Sequence, residues 1–485
     1  MLVRLLSALT LALALLWYRS GRVLRANVLS VPPLPQNYFQ GGDWQTHCSL
    51  VTNDAHDELR YCEDITFWDH FDANGTQTDR HNTVMGPLRD PAPRGHLFLY
   101  PARSGKAADS KLQKLKLVGH PPHHDFHPLG LEAAPSRGDG QPSNLFVVNH
   151  ARDASTIEHF LLDPSRPDEA RYVRTLRSRW LVAPNAIALT GPSSFYVSND
   201  HLLTRRLPGP LGRVLPLLET VLGLPLGWVA HFTIDETTGS VLEHALSAPG
   251  IPFANGISLS PDGRTLAVAS TSTAQLLFYM RDLSTNSLTH EDTVALPFLP
   301  DNIGYDDTGA LLATGHPHFP SLAAVASSPS PSPSSSSSSP VSGDATSPSW
   351  AVSLTHLPAM NLANPTAFAK RIYDSRAPLS ASALVPAAPM AYDVETVFQS
   401  DGTSTNGIGM SSSSTALRDP ATHSVYVVGL YGEGMLAWYE HSEALLAIAK
   451  SLQVSRWAAP GPVRATAFDD TEDSPWRAWA WYCRS

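Results

Sequence analysis

Three short phrases of this chain set an asparagine just before an isoleucine and a strand-like apolar run: Pro184-Asn185-Ala186-Ile187, Ala254-Asn255-Gly256-Ile257 and Asp301-Asn302-Ile303-Gly304. A neutral oxygen donor that returns at the same point of successive β-units is what a hard-cation site on a repeated scaffold requires. The recurrence therefore predicts a metal at the centre of a β-propeller.

Turn chemistry around these phrases agrees. Phe195-Tyr196-Val197, Thr265-Leu266-Ala267-Val268-Ala269, Leu311-Leu312-Ala313 and Val425-Tyr426-Val427-Val428 each follow a turn cluster such as Ser260-Pro261-Asp262-Gly263 or Asp306-Asp307-Thr308-Gly309. Each reads as the second strand of a hairpin whose first strand carries the asparagine phrase. A third strand often follows, as in Gln275-Leu276-Leu277-Phe278-Tyr279, which completes the antiparallel meander of a blade. The 41 prolines and 31 glycines scattered among short apolar runs suit many tight turns, so the expected class is all-β.

The asparagines are unevenly spaced, so insertions sit between some units. Leu207 to Ala230, with Pro208, Pro210, Pro216 and Pro225, is either a short amphipathic helix over the channel mouth or the packing of a long loop. The Ser/Pro-rich stretch 323–349, densest from Ser334 to Ser339, has too little apolar surface to offset the entropy of ordering and is expected to be a disordered loop. A formal charge of −10 with 16% charged residues leaves no basic stripe for nucleic acid and favours a small-molecule ligand.

Residues 1–25 form a segment of their own, followed by a propeller over 26–485. The run Leu5 to Tyr18 is leucine-rich like a secretory signal and short for a spanning helix, which needs roughly 17–25 apolar residues. It predicts a signal peptide or an uncleaved signal anchor, hence entry to the secretory pathway and a secreted or membrane-anchored protein. Arg19, Arg22 and Arg25 after the run argue the other way under the positive-inside rule. Asn74-Gly75-Thr76 is a glycosylation sequon and leans toward the lumen. Of the three cysteines, Cys48 and Cys483 lie near the two ends, where a bridge would lock a closed ring, with Cys62 left over; three reduced cysteines are the alternative.

Val147-Val148-Asn149-His150, Phe195-Tyr196 with Ser198-Asn199-Asp200-His201, Phe253 to Ile257 with Ser260 to Gly263, and Asp301-Asn302-Ile303 followed by Gly315-His316-Pro317 together resemble the serum paraoxonase/arylesterase family in order and wording. The resemblance runs from Cys48 to Cys483 apart from the Ser/Pro insertion, and it matches Cys48-Ser49-Leu50-Val51 and Tyr482-Cys483 to that family's disulfide-forming ends. It implies a six-bladed propeller with calcium in a central tunnel and hydrolysis of lactones and aryl esters. Carried over by position, the tunnel-mouth ion would be held by Glu63, Asn185, Asn255, Asp301 and Asn302, with Asp64 and the Leu131 carbonyl serving a second, buried ion. The first set also stands on its chemistry, since all five offer hard oxygen and two are carboxylates. The second set is incomplete, because Ala186 stands where the family has an aspartate.

His150 matches the outer member of the family's histidine dyad, but Leu129 stands at the inner position, so a histidine relay is not supported. His127 could be displaced into the tunnel, although a surface-loop role alongside His120, His123 and His124 fits better; that cluster read as a transition-metal site lacks defined spacing. Asp200 is the first candidate for the base that activates water, with Glu63 as the other carboxylate; His201 and His316 would line the pocket. No Gly-x-Ser-x-Gly elbow is present, and Gly407-Ile408-Gly409 lacks the spacing of a dinucleotide loop. The function expected is a calcium-dependent hydrolase of esters or lactones; the alternatives are a membrane-associated or secreted calcium-stabilised binding module without turnover, or a related propeller lactonase or synthase with another substrate.

Overall fold

Each asparagine phrase opens the first strand of a hairpin, and those of Asn255 and Asn302 are closed by aspartate-anchored turns. In the turn at Ser260–Gly263 the Asp262 carboxylate accepts the Ser260 hydroxyl at 2.6 Å and the Arg264 amide at 3.1 Å. Asp306 does the same for Thr308 and Ala310, and Gly263 and Gly309 take the left-handed conformations (φ +69° and +83°) that such turns require. The computed structural model describes residues 2–29, 48–52, 59, 61–71, 77–86, 95–101, 112–138, 140–151, 153–235, 240–327, 346–356, 392–403 and 409–439. Asn74 and Cys483 lie outside these residues.

The described chain is an all-β propeller of successive sheets. Strand β1 (Cys48–Val51) comes first, followed by a sheet of β2 (Ile65–Phe71), β3 (Gln77–Gly86), β4 (His96–Pro101) and β5 (Gln113–Lys114). The second sheet contains β6 (Lys116–Val118), β7 (Pro128–Ala133), β8 (Ser143–His150), β9 (Ser155–Asp163) and β10 (Arg166–Leu176), with β6 parallel to β10 at its edge. The third is a meander of β11 (Pro184–Gly191), β12 (Ser194–Asn199), β13 (Gly227–Ile234) and β14 (Val241–Ile251). The fourth repeats it with β15 (Ala254–Leu259), β16 (Thr265–Ser270), β17 (Gln275–Arg281) and β18 (Leu288–Ala295). The fifth uses β19 (Leu299–Tyr305), β20 (Leu311–His316), β21 (Ser349–His356) and β22 (Tyr392–Ser400). The last combines β23 (Ser413–Asp419), β24 (Ser424–Gly429) and β25 (Met435–Tyr439) with β1, which pairs antiparallel to β25 in the register Cys48↔Trp438. The early strand thus closes the ring through backbone hydrogen bonds, and Cys48 has no disulfide partner among the described residues.

Second strands such as β16 and β20 are buried almost end to end, because both faces pack against neighbouring sheets. One apolar cluster joins Trp68 and Leu97 of the first sheet to Phe146 and Phe160 of the second and Phe195 and Trp228 of the third. The first strands behave differently near their starts. Their pairing is interrupted at Pro128/Leu131, Pro184/Ile187, Ala254/Ile257, Pro300/Ile303 and Ser413/Thr415. A bulge at the same point of five strands re-aims the side chains beside it, and the three asparagine phrases sit at three of these bulges.

Three α-helices accompany the sheets among the described residues. α1 (Leu2–Leu24) runs into a π-helical turn, Arg25–Leu29; Ser20 and Val23 are buried, and Val23 lies against Gly223. Among the described residues no helix is long and apolar enough to cross a membrane. Within Leu207 to Ala230 the helical alternative holds, as α2 (Leu211–Val221). Of the stretch 323–349 expected to be a disordered loop, residues 328–345 lie outside the described residues, and the described ends include helix and strand. α3 (Phe319–Ser327) extends into it because Leu322, Ala323, Ala324 and Val325 are helix-compatible and Val325 is buried, while Ser349 already belongs to β21.

Candidate functional site

The bulged strand starts converge on a cavity of about 340 Å³. Glu63, Asn185, Asp200, Asn255, Asp301, His150 and His316 supply its polar lining, and Leu129, Val221, Phe253, Leu299, Phe319, Leu322 and Leu430 supply apolar wall. Thr220 and Val221 come from α2 and Phe319 and Leu322 from α3, so both helices cover the cavity.

Four of the five residues expected around the first ion share one feature. Oε2 of Glu63 and Oδ1 of Asn185, Asn255 and Asn302 are buried oxygens without a hydrogen-bond partner. The amide nitrogens of the same asparagines are engaged. Asn255 Nδ2 donates to Asp301 Oδ1 at 2.7 Å and to Thr271 Oγ1 at 3.0 Å, and Asn302 Nδ2 donates to Glu63 Oε1 and Thr415 Oγ1, both at 3.0 Å. Asn185 Nδ2 reaches Asp200 Oδ2 at 3.4 Å. Each amide is therefore held by its donor end with its acceptor end left over. Buried acceptors are nearly always satisfied, so four together mark a place where a further group belongs. Their chemistry is that of hard oxygen, which suits calcium and not a thiolate- or imidazole-seeking metal. Asp301 completes the set with both oxygens engaged, the second by His316 Nε2 at 2.9 Å. Burial, with the charges of Asp64 and Asp301 next to it, pushes the Glu63 carboxyl well above the usual carboxylate range in the ion-free chain.

The second ion's residues do not fit in the same way. Asp64 is bonded through Oδ1 to the Ile65 amide (2.8 Å) and the Thr415 hydroxyl (3.0 Å), and through Oδ2 to the Leu131 amide (3.1 Å). Leu131 thus meets Asp64 through its N–H. Ala186 brings no carboxylate, and its amide is bonded by Ser198 Oγ at 3.0 Å. Burial still raises Asp64 to about 6 against these bonds, and burial with the Asp64 charge lifts Glu132 to about 8.

Next to Asn185, Asp200 Oδ1 pairs with His201 Nδ1 at 2.9 Å, and His201 Nε2 meets Thr220 Oγ1 of α2 at 2.7 Å. Burial opposes ionisation of Asp200, but the charge and hydrogen bond of His201, helped by His150 and Asn185, hold its carboxyl below the ordinary value. His150 Nε2 donates to the Pro184 carbonyl at 2.6 Å, and burial keeps this imidazole below its usual pKa. Leu129 lines the same cavity as His150.

His127 is not in the cavity lining; its Nε2 pairs with Asp125 at 2.9 Å. His120, His124 and Glu158 bring ligand atoms within 4.8 Å of one another. Glu158 is nevertheless engaged at both oxygens. Oε1 accepts Thr156 at 2.7 Å and Asn149 at 2.9 Å and pairs with His124 at 2.8 Å, while Oε2 accepts Thr175 at 2.5 Å. The cluster is a hydrogen-bond clamp on the loop ahead of β7. Sequence reasoning missed Thr271, Thr415, Arg205 and the α3 residues of the cavity. None carries a motif, and only their packing reveals them.

A family model described as Arylesterase matches residues 89–338, just over half of the chain. Serum paraoxonase/arylesterase 2 of Gallus gallus is 29% identical over 227 residues, covering 46% of this chain and 58% of that protein. Serum paraoxonase/lactonase 3 of Homo sapiens is 28% identical over 209 residues, covering 43% of this chain and 54% of that protein. The chain thus spans somewhat over half the length of these curated relatives. Among solved structures, a luciferin-regenerating enzyme superposes with a TM-score of 0.41 at 10% identity, covering 81% of this chain and 95% of that one.

Proposed function

Because the chain belongs to the arylesterase family, we propose that it hydrolyses small-molecule carboxylic esters and lactones with the help of one calcium ion, on a ring whose six sheets count as six blades. The carrying observation is the set of four buried, unpartnered oxygens of Glu63, Asn185, Asn255 and Asn302, the first three of which line the cavity. These residues and Asp301 would hold the ion. When bound, calcium supplies the positive charge that draws electron density from an ester carbonyl and offsets the negative charge developing on its oxygen.

The chain's own residues do the rest. The apolar wall from Leu129, Phe253 and Phe319 encloses the hydrocarbon part of the substrate and thins the water around it. Asp200, kept ionised, accepts a proton from a water whose oxygen adds to the carbonyl carbon; that proton then goes to the departing alkoxide or phenoxide as the C–O bond breaks. His201 fixes the Asp200 carboxylate, and Thr220 fixes His201. His150, neutral and tied to Pro184, presents its other ring nitrogen as a hydrogen-bond partner. Glu63 belongs to the ion-holding set, because Asn302 occupies its Oε1 and its Oε2 is the orphan. The leucine-rich start of the chain supports entry to the secretory pathway.

The test is hydrolysis of phenyl acetate and of lactones of graded chain length. Activity should vanish in excess chelator and return with calcium, and Asp200→Asn should lower kcat by about 100-fold or more. Chelator-resistant turnover would end the calcium reading. Full activity in Asp200→Asn would move the base elsewhere.

A further inference from the structure

Among the described residues that line the cavity, Arg205 is the only lysine or arginine. Its side chain is exposed, and no hydrogen bond or ion pair to a described residue engages its guanidinium. Its backbone is nevertheless well placed. The buried Glu219 carboxylate of α2 accepts the Leu202 and Leu203 amides at 3.0 and 2.8 Å, which clamps the start of the Arg205 loop. Gly212 lies so close under the loop that an added Cβ would collide with the Leu207 and Arg205 carbonyls. The neighbouring Arg206 is anchored to the Ala151 carbonyl at 2.7 Å. One arginine is thus tied down, and the other is delivered to the cavity.

The acidic groups of the same cavity already have partners. Asp200 faces His201, Asp301 faces His316, and the remaining acidic oxygens belong to the proposed cation set. Val221, Phe319 and Leu322 give the same cavity an apolar wall. A neutral ester would satisfy the cation set and the wall and leave the guanidinium to water.

We infer that Arg205 selects esters or lactones bearing a carboxylate remote from the scissile carbonyl, binding that carboxylate in the planar, two-pronged manner of a guanidinium. This rests on the hydrolase reading and names the substrate class of the same site. The preferred molecule has a carbonyl at the cation set, a short hydrocarbon spacer along the wall and an anionic end at Arg205.

Monophenyl adipate and phenyl hexanoate form a matched pair that differs in the terminal carboxylate. The wild-type chain with calcium should show the higher kcat/KM for the adipate ester. Arg205→Ala should shrink the ratio of the two kcat/KM values by about tenfold, mostly through the KM of the adipate ester, as expected for loss of one charge-assisted contact near solvent. Arg205→Lys should retain part of the preference, and added salt should narrow it. An unchanged ratio in Arg205→Ala, or equal kcat/KM values in the wild type, overturns the inference while leaving the hydrolase reading intact. If neither ester is cleaved, that reading fails by itself. Calorimetric titration with adipate then decides for Arg205: binding that weakens in Arg205→Ala supports the anion site, and no binding to the wild type refutes it.

Discussion

Replacing Asn255 by alanine tests whether the orphaned oxygens serve a cation. In the ion-free chain the substitution removes a charge-assisted bond to Asp301 (2.7 Å) and a neutral one to Thr271 (3.0 Å), together worth about 2–4 kcal/mol. It also removes a buried acceptor whose unmet desolvation costs about 1–3 kcal/mol. The two effects largely offset, so the ion-free variant should be only about 1 kcal/mol less stable than the wild type. The calcium response should differ far more. With free calcium at about 100 times its Kd, the wild type gains about 2.7 kcal/mol, whereas a variant binding about a hundredfold more weakly gains about 0.4 kcal/mol. For a ring of this size, about 1–2 °C accompanies each kcal/mol, which places the wild-type rise in Tm near 3–5 °C and the variant's below about 1 °C. Scanning calorimetry of both proteins, in chelator and across a calcium titration, reads these differences. A wild-type Tm indifferent to calcium, or a variant that responds as the wild type does, would refute the reasoning.

Three further outcomes follow from other parts of the fold. His159 stacks on Phe146 and uses Nε2 on Asn144 at 2.8 Å, leaving Nδ1 buried and unpartnered; burial first and Arg174 second lower its pKa to about 4. The unfolded chain takes up that proton near pH 6.5 and the folded chain only near 4, so stability is intact above about 6.5 and falls by up to about 3 kcal/mol as pH drops to 4; His159→Gln should flatten that stretch of a urea-unfolding pH series. Gly130→Ala would drive a Cβ into the Asn185 carbonyl, with the Ala186 Cα at 2.9 Å, costing roughly 3 kcal/mol and weakening calcium binding in an isothermal titration. Arg418 reaches Asp306 at 2.7 Å and Ser353 at 3.0 Å across the last two sheets, so Arg418→Ala, which strands a buried carboxylate, should lower stability by about 3 kcal/mol in chemical denaturation.

Local chemistry made the hairpins legible. Asp262-Gly263 and Asp306 to Gly309 encode their turns within four residues, and the strands behind them are apolar because both faces will be covered. The Asn185, Asn255 and Asn302 phrases were equally plain, since a bulge and its side chain are written in neighbouring positions. Loop boundaries were less so. The Ser/Pro composition of 323–349 blurred the fact that Phe319–Ser327 has enough apolar contact to hold a helix, and the apolar, proline-broken Leu207 to Ala230 stretch did not disclose that its helix would bring Thr220 to His201.

The sequence alone determined the all-β class, the order of the hairpins and the oxygen-rich character of the centre, because each depends on residues adjacent along the chain. Only the tertiary structure decided that Asn302 meets Glu63 across 239 positions, that Thr415 satisfies Asp64 from the last sheet, and that Leu129 and Arg205 share one cavity. Those relations arise when the ring closes through β1 and β25 and strand starts far apart in sequence are forced to one axis. There the hydrogen-bond accounting becomes global, and a donor spent on one sheet leaves an acceptor bare on another.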